Sequence, residues 1–251
     1  FAGLGQSLLL EIDEKKYLFD TAENYDGLTY NMKRLEIALT DIETVILSHN
    51  HLDHSGSLFK LAKRFTHQQL FLPPDMSSLE EKNYDIQYRT EPKEIAIQKL
   101  LAYKKTIIVQ DGMQIAENMY TTGALEASDK EQSLVVNIPG KGLVLLIGCA
   151  HPTLPVIVEH AKKVTKVEKI YGIIGGLHHI FAEDQKIAEL VQYMVSLDLE
   201  FIVPSHCTGY KTVRALQDTF AQKVLVSLMG QFGSGNAVSI LPTLEFHQFK
   251  R

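Results

Sequence analysis

The residues best able to do chemistry in this sequence are crowded into one short run, Ser48-His49-Asn50-His51-Leu52-Asp53-His54. Four potential metal ligands fall within six positions, in a chain with only ten histidines. On an extended backbone, residues two apart face the same side, so His49 and His51 can grip one ion together. Where the chain turns into a helix, Asp53 and His54 can point at a second. Imidazole with carboxylate suits borderline divalent cations: zinc is expected first, with manganese or iron as alternatives. A polar loop that is histidine-rich by chance is the competing reading, and the density of the run argues against it.

Four adjacent residues cannot surround two ions, so further ligands must come from elsewhere. Two histidines sit in the same local setting, just past an apolar strand. His151 follows Leu143–Gly148 through Cys149-Ala150, and His206 follows Phe201-Ile202-Val203-Pro204-Ser205. A third strand leads through Gly175-Gly176-Leu177 to His178 and His179. The two cysteines, Cys149 and Cys207, flank candidate ligands, but small buried thiols are usually inert, and no direct role is expected of them. His160, His67 and His247 read as surface residues. The run Gly230-Gln231-Phe232-Gly233-Ser234-Gly235 lacks the strand-to-helix setting of a phosphate loop and reads instead as a mobile loop near the site.

The elements that must carry these residues can be traced from the hydrophobic pattern. Ser7–Ile12 and Lys16–Asp20 read as a hairpin about Asp13-Glu14-Lys15. Leu28, Met32, Leu35 and Leu39 recur at helical spacing. Thr40-Asp41-Ile42-Glu43 matches a capping box, which predicts a short helical turn there. Thr44–Ser48 is then a buried strand running into the histidine run. A helix follows, with Leu58, Phe59, Leu61, Ala62 and Phe65 on one face and Ser55 as its cap. Residues 66–119 form the least regular stretch, with one strand-like run at Thr106–Gln110, and read as an elaboration over the site. Ser133–Ile138 and Gly142–Ile147 make a second hairpin. A strand–helix rhythm follows: a helix after Pro155, the strand Lys169–Ile174, a helix with Ile187, Leu190, Val191, Met194 and Leu197 inward, the strand Phe201–Pro204, and a helix with Val213, Leu216 and Phe220. Strand-rich halves with outer helices predict two sheets face to face, flanked by helices. No linker divides the chain, so residues 1–251 read as one domain.

Composition narrows the function classes. With 45% hydrophobic and 22% charged residues the 251-residue chain is an ordinary globular one, long enough to be stable without disulfides. A net charge of −5 disfavours a broad nucleic-acid-binding surface. The longest apolar runs are strand-length, far short of a membrane span. Two separated cysteines fit a reducing compartment, and a cytoplasmic location is expected. The chain starts at Phe1 without methionine, so residues preceding it are not excluded.

Set in order, Leu18-Phe19-Asp20-Thr21, His49–His54, Gly148-Cys149-Ala150-His151 and Pro204-Ser205-His206-Cys207-Thr208-Gly209 resemble the metallo-β-lactamase superfamily. Within it, Ile174-Gly175-Gly176-Leu177-His178 and the final His-Cys-Thr-Gly are similar to the branch of the 7,8-dihydropterin-6-methyl-4-(β-D-ribofuranosyl)-aminobenzene-5′-phosphate synthases. The resemblance runs from Gly5 to about Gly235. It implies an α/β fold, a four-layer αββα sandwich, with the site along one edge of the paired sheets. It implies two divalent transition-metal ions, one held by His49, His51 and His151, the other by Asp53, His54 and His206. Asp20 would orient a ligand histidine from behind. One departure stands out: many superfamily hydrolases place a bridging Asp between the last two histidines, and here Gly175-Gly176-Leu177-His178-His179 offers no carboxylate until Glu183. Either water or substrate takes the place of the bridge or His178 replaces it; His178 is expected in the site, as a ligand or facing substrate, and His179 is expected to contact substrate.

The chemistry implied is hydrolysis of a small phosphorylated or ester substrate. Two ions about 3.5–4 Å apart acidify a water held between them. Asp53 would aim that nucleophile, and His178 or His179 would protonate a leaving group or steady an oxyanion. For the synthase branch the reaction would instead be displacement of diphosphate from a pterin by an aminobenzene carbon. A di-iron oxidoreductase of the same fold is the first alternative; that group carries Glu where His51 stands. A metal- or ligand-binding sensor without turnover is the second. The expected partner is a small molecule, and self-association into a homo-oligomer is compatible with the sequence.

Overall fold

The computed structural model describes residues 5–75 and 93–225 together with the strand Ala237–Ser239. The glycine-rich run at 230–235 and His247 lie outside these residues. The chain divides into two compact units, Phe1–Val109 with Gln231–Arg251, and Gln110–Gly230. Each is built on one six-stranded mixed sheet.

In the first unit, β1 (Leu8–Ile12) and β2 (Lys15–Phe19) pair antiparallel. Asp13 and Glu14 between them both take positive φ, 50° and 64°, which is what a two-residue turn of primed type demands. Helix α1 (Tyr25–Arg34) is capped by Asn24, whose side-chain oxygen accepts the Gly27 N–H at 2.8 Å. It buries Leu28 and Met32 one turn apart. The helical spacing read through Leu39 overshoots, because the helix ends at Arg34 and Glu36 turns left-handed with φ 56°. The capping box read at Thr40–Glu43 is also displaced. The helical turn is Leu39–Asp41, and Asp41 accepts the Ala38 N–H at 2.8 Å. Ile42 already begins β3 (Ile42–Ile46) because its side chain is fully buried in the core, and burial outweighs the local capping signal.

After β3 come α2 (Leu52–Ser55) and α3 (Leu58–Ala62). Ser55 is not the cap expected of it. It closes α2 with its hydroxyl donating to the His51 carbonyl at 2.9 Å, and Ser57 precedes α3. Strands β4 (Gln69–Leu72) and β5 (Thr106–Ile108) follow, with α4 (Lys93–Ala102) before β5. From β2 onward the strands run parallel, β2-β3-β4-β5, as helical crossovers require. At the other edge β12 (Ala237–Ser239) pairs parallel with β1. The core of this unit joins Leu18, Leu28, Val45, Leu58, Leu61 and Leu70.

The second unit opens with β6 (Asp111–Ala116), β7 (Met119–Gly123), β8 (Leu134–Ile138) and β9 (Gly142–Ile147), an antiparallel meander. The stretch 66–119 is thus richer in strands than its sequence suggests. The run read at Thr106–Gln110 is β5; β4 is only four residues long and most of β6 is exposed, so neither of those shows a clear apolar alternation. The chain then switches to parallel crossovers: α5 (Leu154–Thr165), β10 (Ile170–Gly175), α6 (Asp184–Ser196), β11 (Phe201–Pro204) and α7 (Tyr210–Phe220). β9, β10 and β11 lie side by side and parallel, so their C-terminal ends reach one edge of the sheet, where α/β proteins gather their sites. Leu145, Ile157, Ile173, Leu190, Met194 and Ile202 fill the core beneath. Among the described residues no helix is long and apolar enough to cross a membrane.

Candidate metal centre

The histidine run begins where β3 ends. His51 is the extended residue that leads into α2, with φ −72° and ψ 149°, so His49 and His51 stand on one side of an extended backbone while Asp53 and His54 ride the first turn. Gln6 N–H to the Asp53 carbonyl at 2.9 Å and Thr21 N–H to the His54 carbonyl at 2.7 Å pin that turn against the ends of β1 and β2.

Behind the imidazoles lies Asp20, fully buried at the end of β2. Its Oδ1 accepts the Ser48 N–H at 2.7 Å, and its Oδ2 accepts the Ser48 hydroxyl at 2.9 Å and lies 2.7 Å from His54 Nδ1. A carboxylate can only accept here, so His54 carries its proton on Nδ1 and its lone pair on Nε2. The Ser48 hydroxyl spends its proton on Asp20, so at 2.9 Å it accepts from His49 Nδ1. That puts the His49 lone pair on Nε2 as well, 3.1 Å from His51 Nδ1. The His49 and His54 rings are 4.2 Å apart by centroid. One buried carboxylate therefore sets the tautomer of two histidines, which fits a cation facing them. Asp53, half-exposed, places Oδ2 3.8 Å from His54 Nε2.

In the second unit the strand ends carry the remaining candidates. The segment after β9 is held by Glu131, a buried acid that the sequence reading missed. Its Oε1 accepts the N–H groups of Cys149 at 2.9 Å and Ala150 at 3.0 Å, and its Oε2 accepts that of His151 at 2.8 Å. At the end of β10, Gly175 takes φ 125°, and a side chain there would run into the Ile147 carbonyl. The chain then turns through His178, φ 52°, whose exposed ring lies 4.4 Å from that of His151. Ligand atoms of Cys149, His151 and His178 lie within 4.8 Å of one another, as do those of Cys149, His206 and Cys207. His179 is tied into its own loop, its Nδ1 against the Leu177 carbonyl and its N–H donating to the Cys207 carbonyl. After β11, His206 opens a short 3-10 turn and is buried.

The two thiols expected to be inert are neighbours, with Cys207 Sγ 3.2 Å from Cys149 Sγ and neither in a disulfide. The Cys207 thiol is pulled down to about 5 by its hydrogen bond with Cys149, against burial, with His206 and the His178 N–H adding to the fall. His67 is exposed, and His160 folds its ring back onto the Val156 carbonyl of its own helix. Asn50, between two candidate ligands, is buried with neither amide atom hydrogen-bonded among the described residues. A buried amide left so costs about 1–3 kcal/mol unless a group beyond the described residues meets it.

Residues 2–100 match the model of the Metallo-beta-lactamase superfamily, and this stretch contains both Asp20 and the whole His49–His54 run. Residues 2–100 are thus similar to that superfamily's domain. Over 87% of its length it is 27% identical to the 7,8-dihydropterin-6-methyl-4-(beta-D-ribofuranosyl)-aminobenzene-5'-phosphate synthase of Methanocaldococcus jannaschii, covering 85% of that protein. It is 29% identical to an uncharacterized protein of the same organism, over 86% of this chain and 88% of the other. The crystal structure of Tm1679, a metal-dependent hydrolase of the beta-lactamase superfamily, covers 88% of this chain and 91% of its own with a TM-score of 0.67 and 22% identity. The fold is therefore the α/β fold of the metallo-beta-lactamase superfamily, as the motifs imply.

Proposed function

We propose that this chain is a metal-dependent enzyme that cleaves or transfers a small phosphorylated or ester substrate, a pterin among the first to be tried. The observation that carries the reading is the Asp20 network. A fully buried carboxylate holds His54 directly and His49 through Ser48, each with its lone pair on Nε2. Histidines that serve only as polar filler need no such arrangement; ligand histidines do. The similarity to the synthase of Methanocaldococcus jannaschii supports a transferase acting on a pterin, and the similarity to the superfamily's domain supports a hydrolase.

The assignment of His49, His51 and His151 to one ion and of Asp53, His54 and His206 to the other belongs to this proposal and rests on the family pattern. Divalent ions bound there supply Lewis acidity toward a carbonyl or phosphoryl oxygen and lower the pKa of water. Asp53, half-exposed beside His54, is the acceptor placed to orient an attacking hydroxyl group. His178, exposed three residues beyond β10, is the group proposed to meet substrate or donate a proton to a leaving oxygen. His179 is the second imidazole of that loop available to substrate.

The test is reconstitution of metal-free protein with zinc, manganese or iron, followed by elemental analysis and a substrate panel. The panel spans phosphomonoesters, phosphodiesters, thioesters, lactones, and a hydroxymethyl-pterin diphosphate offered with an aminobenzene acceptor. More than one bound equivalent with metal-dependent turnover is expected. Diphosphate release only in the presence of the aromatic acceptor identifies the transferase, and acceptor-independent cleavage the hydrolase. Protein that retains no metal under any of these conditions overturns the proposal.

A further inference from the structure

The pairing of Cys149 and Cys207 is not used by the proposed reaction, and four features of the second unit converge on it. The two residues are 58 apart in sequence, yet their sulfurs are 3.2 Å apart. That is already closer than an ordinary sulfur–sulfur contact, and a bond of about 2.05 Å needs only a modest further approach. Gly176 keeps the space open: a methyl group there would stand 2.7 Å from Cys207 Sγ and against the Gly148 carbonyl. The His178 N–H points at Cys207 Sγ, 3.3 Å away, and so fixes where that sulfur sits. Exposure is unequal, with Cys149 buried at 3% and Cys207 partly accessible. This is the arrangement of a partly accessible attacking thiol with a buried resolving thiol beside it.

We infer that Cys149 and Cys207 form an oxidation site at which a hydroperoxide converts the two thiols into an intramolecular disulfide. The Cys207 sulfur attacks the peroxide O–O bond and takes one oxygen to become a sulfenic acid. The other oxygen leaves with the thiol proton as an alcohol, or as water when the oxidant is hydrogen peroxide. The Cys149 sulfur then displaces the sulfenic hydroxyl, which departs with the Cys149 proton as water. The two electrons lost by the sulfurs are those that reduce the peroxide. The bond ties the segment that carries His151 to the turn that carries His206, so oxidation is a lock on the strand-end loops of this unit. It needs neither metal nor turnover, and it stands or falls apart from the proposed function.

The experiment treats chelated, full-length protein with hydrogen peroxide and follows intact mass, free thiols and peptide maps. Wild type is expected to lose both thiols with a mass loss of two hydrogens, to yield a Cys149–Cys207 cross-linked peptide, and to recover both thiols on reduction. Cys149→Ser is expected to stop at oxygen addition on Cys207, and Cys207→Ser to slow consumption of the remaining thiol at least about tenfold, since the buried Cys149 then faces the oxidant alone. Oxygen addition to wild-type Cys207 with Cys149 still reduced overturns the inference. So do a disulfide between two chains, and two thiols that survive peroxide doses consuming them in the denatured chain. Gly176→Ala, if it folds, is expected to slow disulfide formation; the wild-type result decides the matter if it does not.

Discussion

Replacing Asp20 by asparagine isolates the tautomer argument from everything else in the site. The side chain keeps its size, and asparagine tolerates the left-handed φ of 62° that this position adopts. Its oxygen can still accept the Ser48 N–H that Oδ1 accepts at 2.7 Å. What changes is the Oδ2 position, which becomes an NH2 group facing His54 Nδ1 and the Ser48 hydroxyl, formerly at 2.7 and 2.9 Å. Two donors cannot share those contacts. The least costly repair is for His54 to move its proton to Nε2 and accept at Nδ1. Ser48 must likewise accept from the amide and turn its own proton toward His49 Nδ1, which sends the His49 proton to Nε2. One substitution thus replaces two lone pairs by two N–H groups where a cation would sit.

Loss of such an orienting partner weakens a metal site by about 10–100-fold, or about 1.4–2.8 kcal/mol. Because His49 and His54 are assigned to different ions, both affinities should fall by that factor. Competition with a chromophoric chelator gives the affinities. Long-range nitrogen–proton NMR of the metal-free protein reads the two tautomers directly, independently of metal. Asp20→Asn protein with wild-type tautomers and wild-type affinity refutes the reasoning, whatever its activity.

Three further outcomes follow from the same geometry. Glu131→Gln places an NH2 group against one or two of the three N–H groups that the carboxylate now accepts, so chemical denaturation should show a loss of about 2–4 kcal/mol; a change below about 0.5 kcal/mol would mean the segment is held by other contacts. Asp53→Asn should lower turnover at least about a hundredfold in steady-state assays of the reconstituted protein, the scale of losing a positioned base, and full activity at normal metal content would make Asp53 structural. His178→Ala should lower turnover by about tenfold or more. Elemental analysis then separates a ligand, where one equivalent loosens, from a substrate contact, where metal is retained, and no change in either excludes His178 from the reaction.

The parts of the protein legible in the sequence are those encoded over short distances. The turn at Asp13-Glu14, the hairpin β8–β9 and the alternation of β9, β10 and β11 with helices all announce themselves within a dozen residues. The His49–His54 run does so through density alone. What is not legible is held by long-range contacts. Glu131 is one of thirty acidic residues, with no motif around it, and its importance appears only when β9 brings the N–H groups of residues 149–151 to it from 18 to 20 positions away. The meeting of Cys149 and Cys207 depends on β9 and β11 flanking β10. The misplaced capping box shows the converse. Thr40–Glu43 carries a correct local signal for a helix start, and the burial of Ile42 in a strand overrides it.

A last regularity connects the backbone to the site. Asp20 at the end of β2, Ala150 beyond β9, His178 beyond β10 and His206 beyond β11 all take left-handed φ values, between 50° and 62°. For a residue other than glycine that conformation costs about 1–2 kcal/mol, more where the side chain is bulky. Glycine would remove the cost at each position, yet three of the four carry a side chain with a polar tip. The strain is offset locally. Asp20 donates its N–H to the Ile46 carbonyl at 2.8 Å and accepts the Ser7 hydroxyl at 2.9 Å on its own carbonyl. Ala150 lies between two of the three N–H groups held by Glu131 and supplies the third. The turn at His206 is closed by Thr208, whose N–H and hydroxyl both donate to the Ser205 carbonyl and whose hydroxyl oxygen accepts the Leu177 N–H. Turns elsewhere in the chain, such as Asp13-Glu14, adopt the same conformation, so the strain alone marks nothing; at Asp20 and His206 it coincides with side chains that face the candidate centre. At Asp20 and His206 the side chains so placed are an acceptor and an imidazole, and at His178 an exposed imidazole beside His151, which are the groups a bound cation and its substrate would demand.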